Sequence, residues 1–102
     1  MTIYQVLETI KLPCVYSHFK DKDAPIEPPY LAYIGDGQDT FKADDTIYWN
    51  RNRYQIEYYF TVKNESNEAD IENALLSNGY IYQKSGDVFI EEEGVFVIYY
   101  TV

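Results

Sequence analysis

Cysteine is nearly missing from this chain of 102 residues: Cys14 stands alone. No intrachain disulfide is therefore possible, and no metal site rests on a thiolate pair. Histidine is equally scarce, with His18 as its single copy. Positive charge is short as well: 8 Lys and Arg face 17 Asp and Glu, for a formal charge of -9. Such a field repels phosphate backbones and anionic lipid, which excludes a general nucleic-acid binder and a protein that docks on acidic membranes. Long apolar runs are missing too. The stretch from Val95 to Tyr100 is about as long as they become, so no membrane span is expected. Met1-Thr2-Ile3-Tyr4 lacks the basic and apolar regions of a signal peptide, and the chain is expected to be made in the cytoplasm. No repeat and no low-complexity tract occurs.

What the chain does have is tyrosine. Twelve Tyr stand against five Phe and one Trp, and apolar residues make up 46% of the whole. That is a folding composition, and its length suits one domain over residues 1–102. The spacing of Ile3, Val6, Leu7 and Ile10 predicts an amphipathic helix from Thr2 to Leu12, stopped by Pro13. Cys14 to Tyr16 reads as a short strand, and Ser17 to Pro29, with Pro25, Pro28 and Pro29, as an exposed loop. Tyr30 to Ile34 is expected to be a strand ended by Gly35-Asp36-Gly37. A long polar connection follows from Gln38 to Asn52, with a short strand around Thr46 to Trp49.

The clearest strand runs from Tyr54 to Val62, placing Ile56, Tyr58, Phe60 and Val62 on one face. Ser66 or Asn67 is expected to cap a helix with the stripe Ile71, Ala74 and Leu75, Leu76 at its edge, and Asn78-Gly79 as its end. Tyr80 to Lys84 and Asp87 to Glu91 read as a hairpin around Ser85-Gly86, before a last strand from Val95 to Val102. The expected fold class is α+β: a single, mainly antiparallel sheet with two helices packed against it.

Catalytic constellations do not assemble from these residues. Cys14, Ser17 and His18 lie close in sequence, but nothing nearby orients the imidazole, and His18 reads as a loop residue. Asp21-Lys22-Asp23 and Asp44-Asp45 lack the alternating donors, glycine and terminal Glu of a calcium loop. Gly35-x-Gly37 lacks the helix and lysine of a phosphate cradle. The expectation is therefore no enzyme, no cofactor and no metal.

The tyrosines are more informative. Tyr58 and Tyr59 fall on opposite faces of one strand, and Tyr99 and Tyr100 on opposite faces of another. Such a sheet is covered on both sides, either by two helices and a long loop or by helices on one side and another subunit on the other. Phe41, Tyr48, Trp49, Arg51 and Arg53, together with Tyr59 and Tyr100, form the expected interface set.

The order Leu12-Pro13-Cys14-Val15-Tyr16 with Phe19, Pro28-Pro29-Tyr30-Leu31-Ala32-Tyr33, Phe41-Lys42-Ala43-Asp44-Asp45 with Tyr48, and Tyr54-Gln55-Ile56-Glu57-Tyr58-Tyr59 resembles a known family. It is that of the small tail-completion proteins (tail terminators, head–tail joining proteins) of long-tailed bacteriophages and prophages. The acidic helix after a Lys-Asn turn and the closing strand after Glu91-Glu92-Glu93 continue the likeness. The resemblance implies an oligomeric ring, typically a hexamer, that caps the head-proximal end of the tail tube in virion assembly. Its implied partners are copies of itself, the major tail-tube protein and the head-closure or connector protein. Its implied location is the host cytoplasm and then the tail neck of the virion.

Acidity gains a role in such a ring. From Asn64 to Val102 eight acids oppose one base, Lys84, which is -7 of the total -9. Glu91, Glu92 and Glu93 are the expected DNA-repelling surface, letting DNA pass without sticking. The alternatives are an acidic DNA mimic that inhibits a host nucleic-acid-binding protein, and another neck component such as a head-closure protein.

Overall fold

The computed structural model describes residues 2–16, 27–43 and 46–102, the side chains of 41–50 apart. Helix α1 spans Ile3–Glu8 and opens on a reciprocal cap. The Thr2 hydroxyl accepts from the Gln5 amide, and the Gln5 side chain accepts from the Thr2 amide at 2.8 Å. It ends four residues before the expected Leu12. The Thr9 hydroxyl donates to the Val6 carbonyl at 2.6 Å, and the Thr9 and Ile10 amides reach back only three residues, which tightens the chain into a turn.

Helix α2, Glu65–Ser77, is capped by Asn64, whose side chain accepts from the Asn67 amide. The cap therefore lies ahead of the expected Ser66 or Asn67. Glu65 and Glu68 occupy the first turn, where the helix dipole favours them. At the far end Gly79 adopts φ 83°, while the Tyr80 amide donates to Leu75 and the Gly79 amide to Leu76. That closure needs a residue free to take a left-handed conformation, as the Asn78-Gly79 reading anticipated.

The strands are β1 Cys14–Tyr16, β2 Tyr30–Ala43, β3 Thr46–Phe60, β4 Gln83–Lys84, β5 Val88–Ile90 and β6 Val95–Thr101. They form one sheet in the order β1-β2-β3-β6-β4, with β5 also paired to β6. Among the described residues only β1 and β2 run parallel, so the sheet is mainly antiparallel and the domain mixed α and β.

Three expectations are corrected. Gly35-Asp36-Gly37 does not end β2. The register shifts between Gly35 and Gln38, so that Asp36 and Gly37 oppose Arg53 alone, a β-bulge with Gly37 at φ 81°. Gln38 to Asn52 is accordingly not a loose connection but two paired strands, with Gln38 opposite Asn52 and Ala43 opposite Thr46. Tyr80 to Glu91 is not a hairpin either. β4 and β5 each pair with β6, and Ser85 spans them by accepting from the Tyr99 amide and donating its own amide to the Tyr99 carbonyl.

Two buried clusters occupy the two faces. The larger joins Leu31, Ile56, Tyr58, Phe60, Ile98 and Tyr100 of the sheet with Ile3, Val6 and Leu7 of α1 and Ile71 and Leu75 of α2. The smaller joins Ala32, Tyr59, Val95 and Val97, with Tyr30, Ile90 and Tyr99 at its rim. Cross-strand aromatic rows reinforce the first face: Phe60 opposes Phe96, which opposes Phe89, with ring centroids 5.5 and 4.9 Å apart. The expected last inward residue of β3, Val62, lies past the strand and is exposed. Among the described residues no helix is long and apolar enough to cross a membrane.

Candidate functional site

Beyond the Tyr54–Val102 pair, neither β6 nor any other described strand lies beside β3, and β2 past Tyr33 has only β3 for company. Residues 36–43 and 46–53 therefore form a two-stranded arm, roughly 26 Å long at the usual rise per residue. Two-stranded ribbons in water are marginal on their own. Cross-strand pairs support this one: Gln38 donates to Asn52 at 3.0 Å, and Asp39 lies 3.3 Å from Arg51 and 3.7 Å from Arg53. A second register shift, between Phe41 and Lys42, sets Phe41 opposite Trp49 and Lys42 opposite Ile47, leaving Tyr48 as the extra residue. Five of the seven expected interface residues (Phe41, Tyr48, Trp49, Arg51 and Arg53) are thus brought together on one arm.

At its root sits a group of tyrosines. Tyr33 stacks on Tyr4 at 5.9 Å and meets Tyr16 edge-on at 5.1 Å and Tyr54 at 6.4 Å. Tyr4 and Tyr16 remain exposed. Rigid aromatic groups with a polar tip, half in solvent, are the side chains that protein interfaces favour. Sequence reasoning missed this cluster because its members come from α1, β1, β2 and β3.

The other two expected interface residues are elsewhere. Tyr100 is fully buried beneath α2, where its hydroxyl donates to Glu72 at 2.9 Å. It is a core residue and contributes no surface in the free chain. Tyr59 is only 8% exposed on the second face, stacked on Tyr30 at 4.8 Å and donating to Glu57 at 3.1 Å. Burial, followed by the nearby Glu57 carboxylate, raises the pKa of its phenol.

A charged cluster that the sequence reading did not single out lies beside α2. The Glu68 side chain is 4% exposed and held by Lys84 and Lys63, each at 2.8 Å. Lys84 also reaches Glu72 at 2.9 Å, and Lys63 reaches Asp87 at 3.1 Å. Tyr100 of β6 and Tyr82, just before β4, both donate to Glu72. A cleft of about 400 Å³ opens over these groups. Burial pushes the Glu72 carboxyl up, but hydrogen bonds from Lys84, Tyr100 and Tyr82 outweigh it and leave the group below its ordinary range. The hydrogen bond to Glu68 is the largest influence on Lys84 and, with that to Glu72, raises its pKa. The signal was present: Glu68 precedes Ile71 by three and Leu75 by seven, which is the helix's buried stripe.

Cys14 is half-buried, and burial pushes its thiol up to about 11, with Glu8 adding to the effect. A thiol so shifted is a poor nucleophile at neutral pH. Ser17, His18, Asp21, Asp23, Asp44 and Asp45 lie outside the described residues, as does most of the expected loop from Ser17 to Pro29. Among the described residues no three His, Cys, Asp or Glu side chains converge to hold a metal. Glu91, Glu92 and Glu93 form an exposed turn between β5 and β6, closed by the Gly94 amide donating to Ile90. They stand at the Phe60 end of β3, away from the arm. No family model matches the chain, and no curated protein matches it in sequence.

Proposed function

We propose that this chain is a structural subunit and not an enzyme: a tail-completion protein of a long-tailed phage or prophage. On this reading both helices pack on one face of the sheet and leave the strand ends and the arm for assembly. Copies form a ring on the head-proximal end of the tail tube, stop its growth and receive the head-closure or connector protein. The observation that carries the reading is the arm, a paired ribbon with an aromatic stretch at Phe41, Tyr48 and Trp49 and a tyrosine cluster at its root. A ring needs two different surfaces on each subunit, and an arm with a separate body supplies them. The exposed Glu91, Glu92 and Glu93 suit a lumen that repels DNA.

The DNA-mimic reading needs free carboxylates spaced along one side. Buried Glu68 and the lysine-held Glu72 and Asp87 remove three of the eight acids after residue 63 from that role. The test is assembly of the major tail-tube protein with and without this chain, followed by electron microscopy. Tubes of bounded length capped at one end are expected with it, and indifferent tube lengths refute the reading. Protection of a host nucleic-acid-binding protein from duplex DNA by the isolated chain would favour mimicry instead.

A further inference from the structure

The arm has two open edges. Among the described residues, the outer backbone of β3 from Thr46 to Arg53 pairs with nothing, and neither does that of β2 from Asp36 to Ala43. Unpaired edges of this length are templates for another strand. The two edges differ in charge. The β3 side carries Arg51 and Arg53 and no acid, whereas the β2 side carries Asp36 and Asp39 against Lys42. Within the hairpin a single carboxylate, Asp39, serves both arginines, at 3.3 and 3.7 Å, and the buried Arg53 Nε finds no acceptor among the described residues.

We infer that the arm is a self-association element: the β3 edge of one copy adds to the β2 edge of a second copy, and Asp36 and Asp39 of the second supply carboxylates to Arg51 and Arg53 of the first. Directly opposed residues in paired strands lie about 5 Å apart at Cβ, close enough for this exchange. The same charges reject the symmetric alternatives. Two β3 edges would set arginines against arginines, and two β2 edges, net negative even with Lys42, would leave aspartate without a cation. Only the unlike pairing satisfies both sides, and it is heterologous. Each copy then offers one used and one unused edge, so copies continue until a ring closes. This deepens the assembly reading by naming the contact, yet it stands without any tail tube.

The experiment follows the molar mass of the intact chain by light scattering from micromolar to near-millimolar concentration, with hydrogen exchange at both ends of the range. Four samples are compared: the native chain, the charge-reversed variants R51E/R53E and D36K/D39K separately, and their equimolar mixture. Expected are concentration-dependent association of the native chain with new amide protection in residues 36–53, association about tenfold or more weaker in each variant alone, and recovery in the mixture. In the mixture every β3 edge again meets a β2 edge of opposite sign. A native chain that stays monomeric, or associates without new protection in 36–53, overturns the inference, whether or not the variants keep their hairpin. Undiminished association of either variant alone overturns it as well. Association through another surface would leave the ring reading standing while this contact fell. Arm-mediated association without any effect on tubes would do the reverse.

Discussion

Replacing Lys84 should harm the fold far more than neutralising the buried carboxylate it serves. In Lys84→Met the apolar stem is kept, but Glu68 loses one of its two cations and Glu72 loses its only one among the described residues. Removing one partner of a buried ion pair costs about 3–5 kcal/mol. Lys84 is 34% exposed and Lys63 remains on Glu68, so solvent screening and the surviving partner bring the expected loss to about 2–3 kcal/mol. In Glu68→Gln the amide oxygen still accepts, Lys84 keeps Glu72, and Lys63 keeps Asp87. Both ammonium groups reach water, and the expected cost is about 1 kcal/mol or less. Urea unfolding followed by circular dichroism reads the difference. With an m-value of about 1–1.5 kcal/mol/M, K84M should lower the midpoint by about 2 M and E68Q by well under 1 M. The double variant should be more stable than K84M alone, because it removes the stranded charge. Equal losses for the two single variants, or strictly additive losses in the double, would refute the account of Glu68 as a buried charge that depends on Lys84.

Stability should fall on the acid side: Glu72 has a folded pKa below its unfolded value of about 4.3, so its contribution is present above that pH and is lost as pH drops through the folded value. Glu72→Gln should flatten this limb of a urea-midpoint against pH curve. Tyr100→Phe deletes the hydroxyl donor to Glu72 and should cost about 1 kcal/mol in the same assay. The Cys14 thiol, at about 11 instead of 9.0, should react with a disulfide reagent near neutrality about a hundredfold more slowly than a free thiol, until the chain unfolds. Gly37→Val has open space for its side chain but not for its backbone angle, a strain of about 1–3 kcal/mol. It should lower hydrogen-exchange protection in residues 38–52 while the core helix amides keep theirs.

The elements legible in the sequence were those that bury a face. The alternation from Tyr54 to Phe60, the stripe Ile71 and Leu75, and the run from Val95 all border the two clusters, and burial is what writes a period into a sequence. The arm has no described core beneath it, so β2 and β3 beyond Gly35 and Tyr54 carry polar and charged residues that read as connection. Gly35-Asp36-Gly37 deepened the error, because a glycine that ends a strand and one that kinks it look alike in sequence. Ser85-Gly86 misled for a related reason. It carries turn chemistry, but the bonds from Ser85 to Tyr99 tie each flank to β6 instead of to the other. At the candidate site the arginines and aromatics were found by their clustering in sequence. The tyrosines at the arm's root and the lysine bridge over Glu68 arise from contacts between distant segments, which composition and spacing do not reveal.

The position of β6 also orders events in time. It pairs with β3 on one side and with β4 and β5 on the other, and its pairing of Gln55 with Thr101 closes a loop of more than forty residues. The β2–β3 ribbon closes over neighbours in sequence, a contact that hairpins make in about 1–10 μs. Sheet closure by β6 is the distant and therefore slower step. During synthesis the ribbon can be complete while the inner edge of β3 is still open, so for an interval the same strand offers unpaired backbone along its entire length. Chains crowded on one message could then pair through the wrong part of β3, and the yield of folded protein should depend on how quickly residues 95–101 follow the helix out of the ribosome.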